Sequence, residues 1–225
     1  TFILFIKCSL PVIIAAGLIA TQNLSTGIVL ISVGLMILFV PSSNIMNFVV
    51  FGMLRFLAFV VMVLIEPYRI ARIKGWLDPW SDLLGDGFQI VQSLYAVASG
   101  GLFGLGIGQS RQKTFIPESY NDIIFSIICE ELGLVGALVV ILLFLILIWR
   151  GIKIAMTAKD KYSSYAATGI VTMIAVQVII NIAVVTNTMP NTGMPMPFIS
   201  YGGTSLVVTM ASMGLLLNIS RDCSR

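Results

Sequence analysis

Two carboxylates four residues apart, Glu118 and Asp122, stand in the run Ile116-Pro117-Glu118-Ser119-Tyr120-Asn121-Asp122, directly ahead of an apolar stretch that opens at Ile123. A carboxylate at such a boundary can reach both water and a lipid headgroup, which makes Asp122 a candidate catalyst. The same spacing also fits a helix start. Ser119-x-x-Asp122 before an apolar run is capping-box-like, and an acid in the first turn is favoured by the macrodipole. On spacing alone the two readings weigh equally. Just upstream, Gln109-Ser110-Arg111-Gln112-Lys113 brings two cations near those acids. Arg111 and Lys113 could hold a diphosphate by bidentate and point-charge contacts, or belong to a solvated loop paired with Glu118 and Asp122.

Three further motifs have a chemical and a structural reading. Gly100-Gly101-Leu102-Phe103-Gly104-Leu105-Gly106-Ile107-Gly108 lacks the dinucleotide spacing, the P-loop Gly-Lys-Ser/Thr and any βαβ context. It reads as flexible backbone in a surface loop. Pro195, Pro197, Ser200, Tyr201, Gly202 and Gly203 make an irregular segment that membrane depth tolerates only when it is buried in protein or lines a cavity. It could wall a substrate groove or turn tightly before the last helix. Glu130 and Glu131 fall inside an apolar stretch, where an acid normally faces protein and marks a functional or paired site.

The elements that must position these residues are membrane helices. Hydrophobic residues are 58% of the 225-residue chain and charged residues 10%, against about 45–50% and about 25% in soluble domains. The apolar residues are gathered into blocks of the length that spans a bilayer. Apolar runs at Leu10 to Ala20 and Ile28 to Val40, with polar Thr21, Gln22, Asn23 and Ser25 between them, predict two helices. A third block, from Phe48 to Ile65, carries Arg55 and ends at Glu66-Pro67, where regular helix should stop. The stretch from 67 to 122 is polar, rich in Gly, Pro, Asp and Trp, and long enough to be functional. Within it Phe88, Ile90, Val91, Leu94, Tyr95 and Ala98 recur at helical spacing opposite Gln89, Gln92 and Ser93, which predicts a short helix at the membrane surface. Trp76 and Trp80 suit the headgroup region. Further spans are expected over Ile123 to Trp149, Ala166 to Val185 and Leu206 to Leu217.

Arg150, Lys153, Lys159 and Lys161 after one span, and Arg221 and Arg225 after the last, place both segments and the C-terminus in the cytoplasm, with the 67–122 loop outside. The expected class is therefore an all-α polytopic helical bundle, a single membrane domain over 1–225 of about six transmembrane helices. The net charge of +3, without a basic run or aromatic-basic interleaving, argues against nucleic acid. No histidine is present and Cys8, Cys129 and Cys223 are far apart, so neither zinc nor a disulfide framework is implied. Thr1 at the start, without a signal-peptide pattern, suggests that the chain begins inside a larger membrane protein.

Seven motifs in order together resemble the SEDS family (FtsW, RodA, SpoVE), nearest its division and sporulation branch. They are Glu66-Pro67-Tyr68-Arg69-Ile70, Asp78-Pro79-Trp80, Gly87-Phe88-Gln89-Ile90-Val91-Gln92-Ser93, Gln109 to Lys113, Pro117-Glu118, Glu130-Glu131-Leu132-Gly133 and Pro197-Phe198-Ile199-Ser200-Tyr201-Gly202-Gly203. The resemblance implies a ten-helix fold of which this chain holds roughly the last six. It implies a bacterial plasma-membrane glycosyltransferase that polymerises lipid II beside a class B penicillin-binding protein transpeptidase. The family's essential acid maps onto Asp122, expected to act as base in a single displacement. Arg69, Arg111, Lys113, Glu118, Gln92, Ser200 and Tyr201 are expected to bind substrate, with a divalent cation, Mg or Mn, as an alternative stabiliser of the leaving diphosphate. Two rivals are a precursor flippase using Arg55, Glu130 and Glu131, and a non-catalytic scaffold for a transpeptidase. Two departures from the pattern are Gln22-Asn23-Leu24 where the family has Gln-Pro-Asp, and Asp122-Ile123-Ile124-Phe125 for Asp-Phe-Ile-Phe.

Overall fold

Asn23 is the hinge of the first two helices. In a computed structural model that describes residues 2–40, 52–53, 67–81, 85, 87–115 and 120–223, α1 (Phe2–Gln22) and α2 (Leu24–Phe39) meet at this residue. Its backbone is extended (φ −139°, ψ 98°) and its side chain accepts from Thr26 N at 3.2 Å. Asparagine is among the best N-cap residues, so Asn23 ends one helix and starts the next without a proline. The two helices then pack through small residues. A Cβ on Gly27 would lie 2.9 Å from that of Ala20 and 3.3 Å from Ala16 O, which is the close approach that small side chains permit in membrane helix pairs. The expected third block lies outside the described residues except at 52–53.

Beyond it come α3 (Pro67–Leu77), α4 (Phe88–Ser99), a 3-10 turn (Gln112–Thr114), α5 (Ile124–Thr157), α6 (Lys161–Val185) and α7 (Gly203–Cys223). The last three are long and apolar enough to cross a membrane, and no strand occurs among the described residues. The architecture is the all-α polytopic membrane bundle expected. The chain divides into two compact units. One holds residues 1–60, 146–176 and 207–225; the other holds 61–145 and 177–206. In the first, Ala155, Ala167, Val171 and Leu216 form a buried cluster flanked by Ile148, Ile154, Ile170, Met213 and Ile219. Asp160 starts α6 by accepting from Ser163 N at 2.8 Å and Ser163 Oγ at 2.7 Å. The Ser163 hydroxyl first, and then the Ser163 N–H, lower its pKa below the usual carboxylate range. The Arg150 guanidinium and Lys153 ammonium lie 5.9 and 5.3 Å from the Trp149 ring centre.

The second unit carries every residue expected to act on or bind substrate in the transferase reading, and it departs from expectation in three places. Helix occupies Pro67–Leu77, where the sequence predicted polar loop: proline fits the first helical turn, where its missing N–H would have had no partner. In α4 the buried positions are Ile90, Val91, Ser93 and Ala96, whereas Tyr95 and Ala98 are exposed. Ser93 was expected on the polar side. Tyr95 instead meets Trp80 edge-on, with ring centres 5.8 Å apart.

The third departure sets the architecture of the site. α5 is broken at Gly133 (φ 67°, ψ −168°), and the glycine-rich segment 100–106 fills the break. Leu105 N donates to Glu130 O and Gly106 N to Glu131 O, both at 3.0 Å. Across the break, Leu134 N donates to Gly101 O at 2.9 Å and Val135 N to Leu102 O at 3.2 Å. The backbone groups that a helix break frees cannot stay unpaired in an apolar span, and here a strap of loop pairs them. The glycines are therefore structural. Gly104 has φ +79°, and a Cβ there would strike Glu131 O. Gly104→Ala should thus lower the melting temperature of the detergent-solubilised protein markedly, a cost of more than about 1 kcal/mol. Gly101→Ala is the control, since φ is +55° but nothing lies within 4 Å of its Cβ. It should cost clearly less in the same thermal shift assay, and equal shifts would show that the strap is not clamped in the break.

Candidate active site

Asp122 sits two residues before α5 begins, in the turn 120–123. Its side chain is half-buried. The peptides around it are tied on three successive residues, two by the segment 191–201 and one by α6. Tyr201 N donates to Tyr120 O at 2.8 Å, Ser200 Oγ to Asn121 O at 2.6 Å, and Asn181 Nδ2 to Asp122 O at 2.7 Å. Asn181, fully buried in α6, also donates from Nδ2 to Met194 O at 2.8 Å. The carboxylate itself lies against Gly193: a Cβ on that residue would come 3.3 Å from Oδ2, and Gly193 has φ +65°. An acid whose own backbone is fixed from three sides keeps its direction without a covalent tether, which is the preorganisation a general base needs.

The segment that supplies these contacts is irregular yet buried. Met194, Met196 and Pro197 are almost fully enclosed. Met196 N donates to Ser200 Oγ at 2.7 Å, so one hydroxyl joins the segment to itself and to Asn121. Phe198 is in the left-handed region at φ 65°, uncommon for a bulky side chain; its ring stacks on Phe144 at 6.5 Å. At the other end, Arg72 and Trp76 of α3 donate to Asn191 O at 3.1 Å and Asn187 O at 2.9 Å. Asn191 Nδ2 donates to Gln89 Oε1 of α4 at 2.5 Å. Trp76 is thus a hydrogen-bonding strut beyond any headgroup role.

A second group gathers around Glu130 and Glu131, and Glu130 stands about 9 Å into α5 from its start at Ile124 at 1.5 Å rise per residue. Glu130 has 0% exposure. It accepts from Ser110 Oγ at 2.5 Å, Arg111 N at 3.1 Å and Gln112 N at 3.3 Å. Glu131 accepts from Ser110 N at 3.3 Å and lies 3.9 Å from Lys113 Nζ. Lys113 Nζ also donates to Gly108 O at 2.6 Å. The Arg111 guanidinium, exposed, makes no hydrogen bond or ion pair to a described residue.

The structure therefore brings Asp122, Ser200 and Tyr201 together, and separately gathers Arg111 and Lys113 on one turn. Tyr201 contributes its backbone, while its side chain is 81% exposed. Ser200 is a tether of Asn121, a role that burial and short bonds explain without substrate. Glu131 is an acid beside Lys113 that the sequence did not suggest, and the expected pairing with Glu118 lies outside the described residues. Gln92 is half-buried on α4. Glu118, Arg55 and the side chain of Arg69 lie outside the described residues. Among the described residues no three His, Cys, Asp or Glu side chains cluster. A Mg-type cation needs fewer, commonly one or two carboxylates with substrate phosphates completing the shell, and Asp122 fits that demand. Asn181, Asn191 and Gly193 were missed from sequence. Asn181 carried a readable signal, an amide in the apolar run Ile179-Ile180-Asn181-Ile182, which must find partners inside protein.

Comparison with known proteins places this geometry among relatives. A family model described as a cell cycle protein, FtsW/RodA/SpoVE, matches residues 2–225. Stage V sporulation protein E of Bacillus subtilis is 50% identical over 216 residues, which are 95% of this chain and 59% of that protein. A probable peptidoglycan glycosyltransferase FtsW of Geobacter metallireducens is 41% identical over 212 residues, 92% of this chain and 56% of that one. Among solved structures, one titled for the coordination of polymerization and crosslinking by a peptidoglycan synthase complex matches with TM-score 0.73 and 29% identity over 95% of this chain and 60% of that chain. The rod shape determining protein RodA of Thermus thermophilus matches with TM-score 0.63 and 24% identity over 97% and 56%, a likeness of fold. The chain spans less than two thirds of the length of these relatives.

Proposed function

We propose that this chain, which belongs to the FtsW/RodA/SpoVE family of cell cycle proteins, is the catalytic portion of a peptidoglycan glycosyltransferase that polymerises lipid II. The observation that carries the reading is Asp122: a half-buried carboxylate at the loop end of a membrane helix, its peptide tethered at Tyr120, Asn121 and Asp122 itself. Relatives named as probable peptidoglycan glycosyltransferases and a structural neighbour titled for a peptidoglycan synthase complex support it.

In this mechanism Asp122 takes the proton of a sugar hydroxyl as that oxygen attacks the anomeric carbon of a second lipid-linked disaccharide. The bond to the diphosphate breaks, and the lipid diphosphate leaves with the electron pair. A positioned base of this kind contributes about 10²–10⁴-fold. Arg111, with its guanidinium open, meets the diphosphate charge. Lys113, engaged by Glu131, supports the same turn. A divalent cation, Mg or Mn, would be held by Asp122 and phosphate oxygens and would supply further neutralisation of the leaving group.

The partner we assign is a class B penicillin-binding protein transpeptidase, in keeping with the crosslinking activity in that neighbour's title. The setting is the bacterial plasma membrane. The basic residues at 150–161 and 221–225 support a cytoplasmic C-terminus, an orientation that would set the sugars of the substrate on the side of Asp122. The flippase reading loses ground because Glu130 is spent on Ser110, Arg111 and Gln112, and Glu131 on Ser110 and Lys113.

The test is to supply the protein, with its transpeptidase partner and without any other polymerase, with lipid II in vesicles and to resolve the products on gels. Glycan ladders support the reading. Lipid II crossing the bilayer without polymer would convert it to a transporter, and neither activity would leave a scaffold.

A further inference from the structure

Glu130 is a charged group without exposed surface, one turn ahead of the break in α5. Burying a carboxylate is costly unless hydrogen bonds satisfy it, and its partners are neutral donors: the Ser110 hydroxyl and the N–H groups of Arg111 and Gln112. Lys113 N in turn donates to Ser110 Oγ at 3.2 Å. The carbonyls of Glu130 and Glu131 hold Leu105 N and Gly106 N, while their carboxylates hold 110–113. Two consecutive residues therefore grip both ends of the loop 105–113. Because the Glu130 charge is met by backbone and hydroxyl, the Arg111 guanidinium stays available to an outside anion. Lys113 does not, since Glu131 engages it.

We propose that Glu130 is a positioning residue: its buried carboxylate fixes the 110–112 turn so that Arg111, and not Lys113, presents the cation that binds the substrate's diphosphate. This rests on the lipid II reading above. It adds a division of labour between the two cations and a source for the geometry.

The experiment measures binding of undecaprenyl diphosphate, with undecaprenol as control, to the intact protein in nanodiscs. The forms compared are wild type, Glu130→Gln, Arg111→Ala, Lys113→Ala and the Glu130→Gln/Arg111→Ala double variant. Glu130→Gln and Arg111→Ala should each weaken diphosphate binding about tenfold, and the double variant no further than Arg111→Ala alone, because residues acting through one contact are not additive. Lys113→Ala should change affinity less, and undecaprenol binding should stay unchanged throughout. Trypsin provides the readout that needs no ligand: cleavage after Arg111 should be slow in wild type and fast in Glu130→Gln. Should Glu130→Gln fail to fold, Ser110→Ala removes one of the three donors and should show the same pattern at smaller amplitude. Additive losses, a larger effect at Lys113, or a wild type cut after Arg111 as fast as the variant would overturn the inference. A wild type that binds the diphosphate as described but forms no polymer would overturn the transferase reading and leave the positioning role standing.

Discussion

Asp122→Asn should abolish polymer formation while leaving the protein folded. The substitution keeps the size of the side chain, so it still fits against Gly193. It also keeps the three tethers that fix the turn, because all of them end on carbonyls of the main chain. What it removes is the ability to accept a proton at neutral pH. Loss of a positioned base lowers turnover by about 10²–10⁴-fold, so lipid II incubated with the variant and its partner should remain monomeric over times in which wild type consumes it. Asp122→Ala should do the same. Thermal unfolding of both variants in detergent should match wild type within a few degrees. If Asp122 were a helix cap alone, Ala should cost about 1 kcal/mol of stability and spare catalysis. Polymer at wild-type rate from a folded Asp122→Asn protein would reject Asp122 as the base.

Those outcomes separate the two readings that spacing could not. The sequence offers Asp122 as cap or catalyst because both require an acid ahead of an apolar run. The structure adds that α5 starts at Ile124 and that the main chain at 120–122 is held by residues from 181 to 201. Information of that kind is long-range and leaves no local trace. The same holds for the glycine strap: Gly100 to Gly108 looks like a flexible loop until Glu130, Glu131, Leu134 and Val135 are seen to pair with it. What was local was legible. The polar break at Asn23, the apolar spans of α5 to α7 and the helix at 88–99 follow from composition and period alone. The buried face of α4 was misjudged because Ser93 is small enough to be enclosed while Tyr95 reaches Trp80. α3 was missed because the polar sequence after Pro67 was read as loop.

Asn181→Leu should cost stability and activity together. The amide is fully buried, and its one Nδ2 joins Asp122 O in front of α5 to Met194 O in the irregular segment. Leucine nearly matches the volume but donates nothing, so two carbonyls lose a partner in a setting where water is scarce. A buried group left unpaired costs about 1–3 kcal/mol, which makes roughly 2–4 kcal/mol a fair expectation for the pair. In this unit the loss should be felt first at the site: with Asp122 O released, the turn that carries the carboxylate loses one of its three main-chain tethers. Turnover should therefore fall by about tenfold or more at temperatures well below unfolding, with little change in the KM for lipid II, since Asn181 meets no predicted substrate-binding side chain among the described residues. Asn181→Asp makes the complementary case. It preserves shape, yet an ionised carboxylate cannot donate and would face two carbonyl oxygens, so it should be worse than leucine. Steady-state polymerisation rates and thermal shifts on the three proteins decide it. Destabilisation with undiminished turnover in the folded fraction would mean that Asn181 serves the fold alone.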